Sequence, residues 1–344
     1  LVGVNRIIGL ADGDFERCPH TRGGEPESTM AAGGALTSLG FRNLTGTYFQ
    51  ALEDNLEKSW AMNVGWLNQS DQPTETYKWL GQAPQLREWV GGRLLKSLEK
   101  HTYALTNRIF ESTLRIDVDD IRREKINQIM MRVADMARRS ATHWELLVSS
   151  LINTNPTAHD GLSFFNTGHV LGSSGTINNA VVAAQVPALN VTTATNPTQD
   201  EMAKIILGMI QHGYGYLDDQ GEPMNQDANS FCLMVPVNMW AAAKGAISSE
   251  RLTAGESNIL LSNNDFSIEL KQNPRLTSNT NIFLFRTDVA AKPFILQEET
   301  GIDVKLIGAG SEHEFKNREH LFGVEVRREA GVGIFQYAIR GTLS

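Results

Sequence analysis

From Asp119 to Ile152 the chain reads DDIRREKINQIMMRVADMARRSATHWELLVSSLI, with no Gly or Pro to interrupt it. Apolar or small side chains fall at Ile121, Ile126, Ile129, Met130, Val133, Met136, Ala137, Ala141, Trp144, Leu147, Val148 and Leu151. The steps are mostly three and four, so these residues share one face of an α-helix. Asp119 or Asp120 stands where a side chain caps the first free N–H groups, and Pro156 helps to end the run. At about 1.5 Å per residue such a helix is roughly 50 Å long. An element of that length does not fit inside one compact domain of ordinary size. The a/d repeat is irregular and the charges are scattered, which argues against a coiled coil. The expectation is an extended molecule built on one helical spine.

The rest of the chain bounds what that spine can serve. A soft prior of about 150 residues per domain gives two or three domains in 344 residues. With 41% hydrophobic residues a sizeable core can be buried. The net charge of −8 argues against a protein that coats nucleic acid by neutralising phosphates, though not against one that encloses it. Cys18 and Cys232 are far apart and make no disulfide framework, so a reducing compartment is the default. No apolar run approaches the ~20 residues of a membrane-spanning helix, and no signal-peptide pattern is visible. The first residue is Leu1, as proteolytic processing leaves or as a sequence that starts late shows.

Residues 1–40, rich in Gly, Pro and polar side chains, read as an arm that needs another surface to order it. Residues 43–60 read as a helix with the stripe Leu44, Tyr48, Leu52, Leu56 and Trp60. Between 61 and 98, Trp66, Trp79 and Trp89 stand among prolines, glycines and charges. Large aromatics in a loop-like stretch fit an interface or a satellite cluster equally well. Residues 99–118 alternate as an extended ribbon with one shift of face. Thr198 and Glu201 form a capping box for a helix buried through Met202, Ile205, Ile206, Met209 and Ile210. FCLMVPV (231–237) suits a buried central strand, and Asn238 caps the helix after it. Strands are expected at Phe266–Leu270, Ile282–Arg286, Pro293–Gln297 and Val304–Ile307, then two more joined near Gly331. Helices and strands in separate runs indicate an α+β fold.

Motifs that carry chemistry are absent from the sequence. GGRLLKS (91–97) puts Arg93 and Leu94 where a phosphate loop needs Lys and a hydroxyl. LIGAGS and AGVGIF each hold one G-x-G without the third glycine of a dinucleotide site. In HEFKNREH the histidines are seven apart, not four, so the zinc-helix geometry is missing. His159, Asp160 and His169 could share a metal, but histidines in a polar loop are usually only that. Cys232 lies in an apolar strand and reads as buried and inert. No catalytic, cofactor-binding or metal-ligating set is assigned, and the chain is not read as an enzyme.

Several stretches do resemble a known family, the major head (capsid) proteins of Mu-like phages, which have the Hong Kong-97-type capsid fold. They are ETYKWLGQAPQLREWVGGR (75–93), TNRIFESTLRI (106–116), HDGLSFFNTGH (159–169), AKPFILQ (291–297) and LFGVEVRREAGVGIFQYA (321–338), in the family's order. The resemblance implies an N-arm at 1–40, a P-domain helix segment at 41–62, the E-loop and its ribbon at 63–117 and a P-domain with the spine helix at 118–184. It implies an A-domain at 185–310 and P-domain return strands at 311–344. It further implies a homo-oligomer of pentamers and hexamers that closes into an icosahedral shell around double-stranded DNA, in the virion, after assembly in the bacterial cytoplasm. Decoration, portal, and scaffold or protease proteins would be its partners; no cofactor and no membrane are implied. Within the E-loop, Trp79, Arg87, Glu88 and Trp89 are the expected inter-subunit contacts, Trp and Arg being common hot-spot types. The alternative is an encapsulin-like shell of the same fold around cargo enzymes.

Overall fold

The structure, a computed structural model, describes residues 38–80, 100–122, 125–251, 257–262 and 266–344. In chain order its elements are α1 (Ser38–Leu56), α2 (Ala61–Val64), β1 (Gly65–Gln69), β2 (Thr74–Leu80), β3 (Lys100–Thr106), β4 (Arg108–Asp117), α3 (Val118–Arg122), α4 (Ile126–Ala141) and α5 (His143–Thr154). There follow β5 (Ala180–Val181), α6 (Gln199–Tyr214), β6 (Ser230–Val235), α7 (Trp240–Ser248), α8 (Ile259–Ser262), β7 (Ser267–Gln272), β8 (Asn281–Arg286), β9 (Phe294–Ile307), α9 (Glu312–Asn317), β10 (Glu319–Val332) and β11 (Ala338–Thr342). Most of the arm expected at 1–40 lies outside the described residues. The chain divides into two compact units. One joins the segment ending at Glu57 to Asn107–Ala141 and Glu298–Arg328; the other joins Lys58–Thr106, Thr142–Gln297 and Glu329–Ser344.

The first unit packs α1 on α4 and both on a sheet. Leu44, Tyr48 and Leu52 recur every fourth residue and are buried against Val133, Met136 and Ala137 of α4, with Ile116, Phe322 and Val324 from the strands beneath. Full burial of each large apolar side chain contributes about 1.5–3 kcal/mol. β10 pairs antiparallel with β4, from Glu319 opposite Asp117 to Arg328 opposite Arg108, and β9 lies on the other side of β10. The segments expected as separate strands at 293–297 and 304–307 are thus one continuous strand.

The single spine helix does not form. The periodic run is three helices: α3, α4 and α5. Asp119 and Asp120 are in the first turn of α3, and the capping acceptor is Asp117, whose Oδ1 takes the Asp119 N–H at 2.7 Å. Lys125 N–H reaches back five residues to Asp120 O at 3.2 Å, not the four of a continuing α-helix. Thr142 separates α4 from α5 with φ −72° and ψ −3°, far from the ψ of about −42° that continues an α-helix. The division between the compact units falls at the same place. α5 ends at Thr154, where Asn155 adopts φ 50° and donates its N–H to Leu151 O.

The first unit also buries a polar network at the end of α4. Arg328, 2% exposed, donates from Nη2 to Ser140 O at 2.7 Å. Tyr48 donates to Ser140 Oγ at 2.8 Å. An arginine on a last-turn carbonyl satisfies an acceptor that the helix itself leaves open and complements its dipole. Burial pulls the Arg328 pKa down to about 10 and pushes that of Glu298, 7% exposed, up, while each charge counters the other's shift.

The second unit is built on the sheet order β5-β11-β8-β6-β7. β6 is flanked by antiparallel β8 and parallel β7, and Phe231 to Val235 are buried, as the apolar run predicts. Cys232 is fully buried there, and burial pushes its thiol up to about 12. α6 has the expected capping box: Glu201 N–H donates to Thr198 Oγ1, and Thr198 N–H to Glu201 Oε2 at 2.8 Å. Asn238 does not cap α7. It sits in a 3-10 turn, Val237–Met239, and donates its amide to Thr195 O and Asn279 O, tying two loops together. The last two strands join at residues 333–337, just past Gly331 as expected. Gly333 makes that corner possible, since a Cβ there would lie 2.6 Å from Lys292 O.

Candidate assembly site

The ribbon that the sequence places before the helical run is a two-stranded hairpin in the second unit. β2 and β3 pair antiparallel from Thr74 opposite Thr106 to Leu80 opposite Lys100. Alternation puts Tyr77 and Leu105 on one face, where they bury with Ile295, and Tyr103 packs against them. The other face is exposed at Thr76, Thr102 and Ala104. Two short strands alone are marginal in water, so the base of the hairpin needs an anchor.

That anchor is a clamp of one hydroxyl and two amides. Tyr77 Oη donates to Gln297 Oε1 at 2.8 Å and accepts from Asn68 Nδ2 at 2.9 Å. Gln297, fully buried, donates from Nε2 to Leu105 O at 3.3 Å, so one side chain holds both strands. Burial raises the Tyr77 pKa above its ordinary value, which keeps the hydroxyl a donor. Gly331 gives room for the hairpin: a Cβ there would meet Tyr103 at 3.0 Å and Leu105 at 3.1 Å. The ring of Trp66 stands edge-on to Tyr77 at 6.3 Å and is 39% exposed.

Of the expected contacts, Trp79 lies in β2 opposite His101. Arg87, Glu88 and Trp89 fall outside the described residues. Sequence reasoning missed Tyr77, Asn68 and Gln297 as anchors. A signal existed for two of them: Tyr77 is in ETYKWLG and Gln297 ends AKPFILQ, both stretches that carry the resemblance.

Other outward surfaces accompany the hairpin. Arg132, Arg138 and Arg139 of α4 are exposed; Asp135 bonds Arg138 Nη2 at 2.6 Å and Arg139 Nε at 3.1 Å. The hydrogen bond from Arg138 leads in holding the Asp135 carboxyl below its ordinary range. In the second unit Val237 and Trp240 are exposed at the start of α7. His159, Asp160 and His169 do converge, but as a pin for their loop. His169 Nδ1 bonds the Asp160 carboxylate, Nε2 faces Phe164 O at 3.2 Å, and both imidazoles stack on Phe335. Among the described residues no group of three or more such side chains is arranged to hold a metal, and no described helix is long and apolar enough to cross a membrane.

The fold defined by these two units is that of phage capsid subunits. The procapsid protein of bacteriophage JBD30 superposes with a TM-score of 0.50 at 20% identity, over 90% of this chain and 76% of that one. The chain belongs to the Mu-like prophage major head subunit gpT family, whose pattern matches residues 40–198 and 263–343. It is 31% identical over 123 residues to the major capsid protein of Escherichia phage Mu, and 28% identical over 107 residues to the Mu-like prophage FluMu major head subunit of Haemophilus influenzae. Those alignments cover 34% and 30% of this chain, and only 40% and 35% of the two relatives.

Proposed function

We propose that this chain is the structural subunit of a phage head, assembling through pentamers and hexamers into an icosahedral shell that encloses double-stranded DNA. The observation that carries the reading is the family match over 40–198 and 263–343, on a chain with the capsid fold. That match favours a phage head over a cargo compartment. The role is architectural: identical copies repeat the same contacts around symmetry axes, and many modest contacts together hold the shell. The hairpin is the reaching element. Its clamp fixes the root, while Trp79 at the end of β2 and Arg87, Glu88 and Trp89 in the segment beyond it meet a neighbouring copy. In the same reading α4 belongs to the peripheral part of the subunit and α6 and α7 to the axial part. Assembly takes place in the bacterial host cytoplasm, and decoration, portal and scaffold or protease proteins act on the same shell.

Electron microscopy of the purified full chain tests this. Round shells of uniform diameter are expected, and DNA inside them separates a head from a compartment. Amorphous or monomeric material would sink the reading. Deleting 75–93 would remove Tyr77 from its buried cluster, so the cleaner variant removes 82–98 across a short Gly linker. It is expected to give a folded subunit that forms no shells; shells of normal size would show that this segment is not the contact. Trp89→Ala is expected to weaken assembly more than it lowers the subunit's melting temperature.

A further inference from the structure

Among the described residues, three arginines on strands are largely withdrawn from solvent, and Arg340 differs from the other two. Arg286 on β8, 4% exposed, spends its guanidinium on Asp288 Oδ1 at 2.6 Å, Asp227 Oδ1 at 2.8 Å, Asn225 Oδ1 at 3.2 Å and Met224 O at 3.2 Å. Arg328 on β10 holds Ser140 O and stands in the field of Glu298. Arg340, in the middle of β11, has neither arrangement. It is partly buried, its guanidinium lies 5.4 Å from the centroid of the Phe165 ring, and its Nε is buried with no acceptor in bonding distance. Burial lowers its pKa, and it forms no ion pair among the described residues.

We propose that Arg340 is an assembly contact that receives a carboxylate from a second copy of this chain. The inference rests on the reading of the chain as a shell subunit. A guanidinium is a rigid fork of five donors matched to a carboxylate. Here the ring of Phe165 holds the fork in place before a partner arrives, so little side-chain freedom remains to be lost. The position is accessible from the sheet margin. β11 has only the two-residue β5 between it and the edge, with Arg340 opposite Ala180, and the residue after β5, Val182, is 43% exposed. The occupant follows from charge. The chain carries 39 acidic residues against 31 basic ones, so a second copy presents carboxylates in excess. Nucleic-acid binding spreads over several exposed cations, whereas Arg340 is a single recessed one that forms no ion pair among the described residues. An unpaired, partly buried charge is a burden on the isolated subunit. Assembly removes that burden.

The test compares Arg340→Met and Arg340→Lys with wild type in the full chain. It reads the lowest concentration that gives shells, by light scattering and microscopy, and the melting temperature of the unassembled subunit. Arg340→Met is expected to raise the assembly concentration roughly tenfold or more while leaving the subunit's melting temperature equal or higher. Arg340→Lys keeps the charge without the fork and is expected to fall between. Unchanged assembly by the Met variant overturns the proposal. So does an equal drop in subunit melting temperature for both variants, which marks a packing role. An effect confined to DNA-filled particles, absent from empty ones, assigns the site to a phosphate and also overturns it. If wild type forms no shells, the shell reading itself fails and takes the proposal with it.

Discussion

Tyr77→Phe isolates the hydroxyl that roots the hairpin. The ring stays, and with it the edge contact to Trp66 and the burial beside Leu105 and Ile295. Lost are the bond to Gln297 Oε1 at 2.8 Å and the one from Asn68 Nδ2 at 2.9 Å. A net intramolecular hydrogen bond contributes about 0.5–1.5 kcal/mol, and a buried acceptor that loses its donor pushes the total upward, so the change costs about 1–3 kcal/mol. Because Gln297 also holds Leu105 O, the loss is expected at the hairpin and not across the unit. Amide hydrogen exchange followed by mass spectrometry reads this directly. Protection over 74–80 and 100–106 should fall by roughly 5- to 150-fold, the equivalent of that energy. Peptides from α4 and α6 should keep theirs. Unchanged exchange in the hairpin, or an equal fall in α6, would refute the clamp as the local anchor.

Three other perturbations follow from the geometry. Glu201 accepts bonds from the backbone and hydroxyl of both Thr198 and Thr192, which lower its pKa to about 2 from its ordinary 4.5. Glu201→Gln should therefore cost about 1–2 kcal/mol at neutral pH, a value discounted for solvent screening; the folded pKa is the lower one, so this difference disappears as pH falls from about 4.5 toward 2, which melting temperatures against pH will show. Arg328→Met leaves the buried Glu298 without its compensating charge and should cost about 3–5 kcal/mol. Glu298 has a folded pKa above the unfolded one, so the cost is largest above the carboxylate range and shrinks on acidification; denaturant titrations at two pH values check the sign. Gly333→Ala drives a methyl against Lys292 O and Pro293 O, at 2.6 Å and 3.1 Å, and should lower stability by about 1–3 kcal/mol in a thermal melt.

What the sequence disclosed was whatever short-range chemistry determines. The Thr198–Glu201 box is complete within four residues, and it forms as expected. The apolar run at 231–235 needed no partner to be identified as a buried strand. Asn238 shows the limit. It has the residue type and position of a cap, yet its amide is used by Thr195 O and Asn279 O, each about forty residues away along the chain. The ribbon was legible from alternation; its anchor was not, because Tyr77 and Gln297 are 220 residues apart. The recessed fork of Arg340 was equally hidden, since an unpaired arginine and a paired one look alike in a sequence.

The helical run at 119–152 makes the same point at the scale of the fold. Its period continues through Ser140, Ala141 and Thr142 because helices on both sides bury a face: Val133, Met136 and Ala137 before the break, Trp144, Leu147 and Val148 after it. Hydrophobic periodicity reports which face is buried, not whether the axis is continuous. The local interaction at the break comes from elsewhere. Arg328, 188 residues on, bonds the Ser140 carbonyl, and Tyr48 bonds the Ser140 hydroxyl. A carbonyl engaged by a buried guanidinium no longer needs the next turn of helix, so the helix can stop without a Gly or Pro. The chain divides its compact units between Ala141 and Thr142, beside this contact. A run that reads as one plank is three helices divided between two bodies, and the residues at the end of α4 that meet Ser140 belong to α1 and β10.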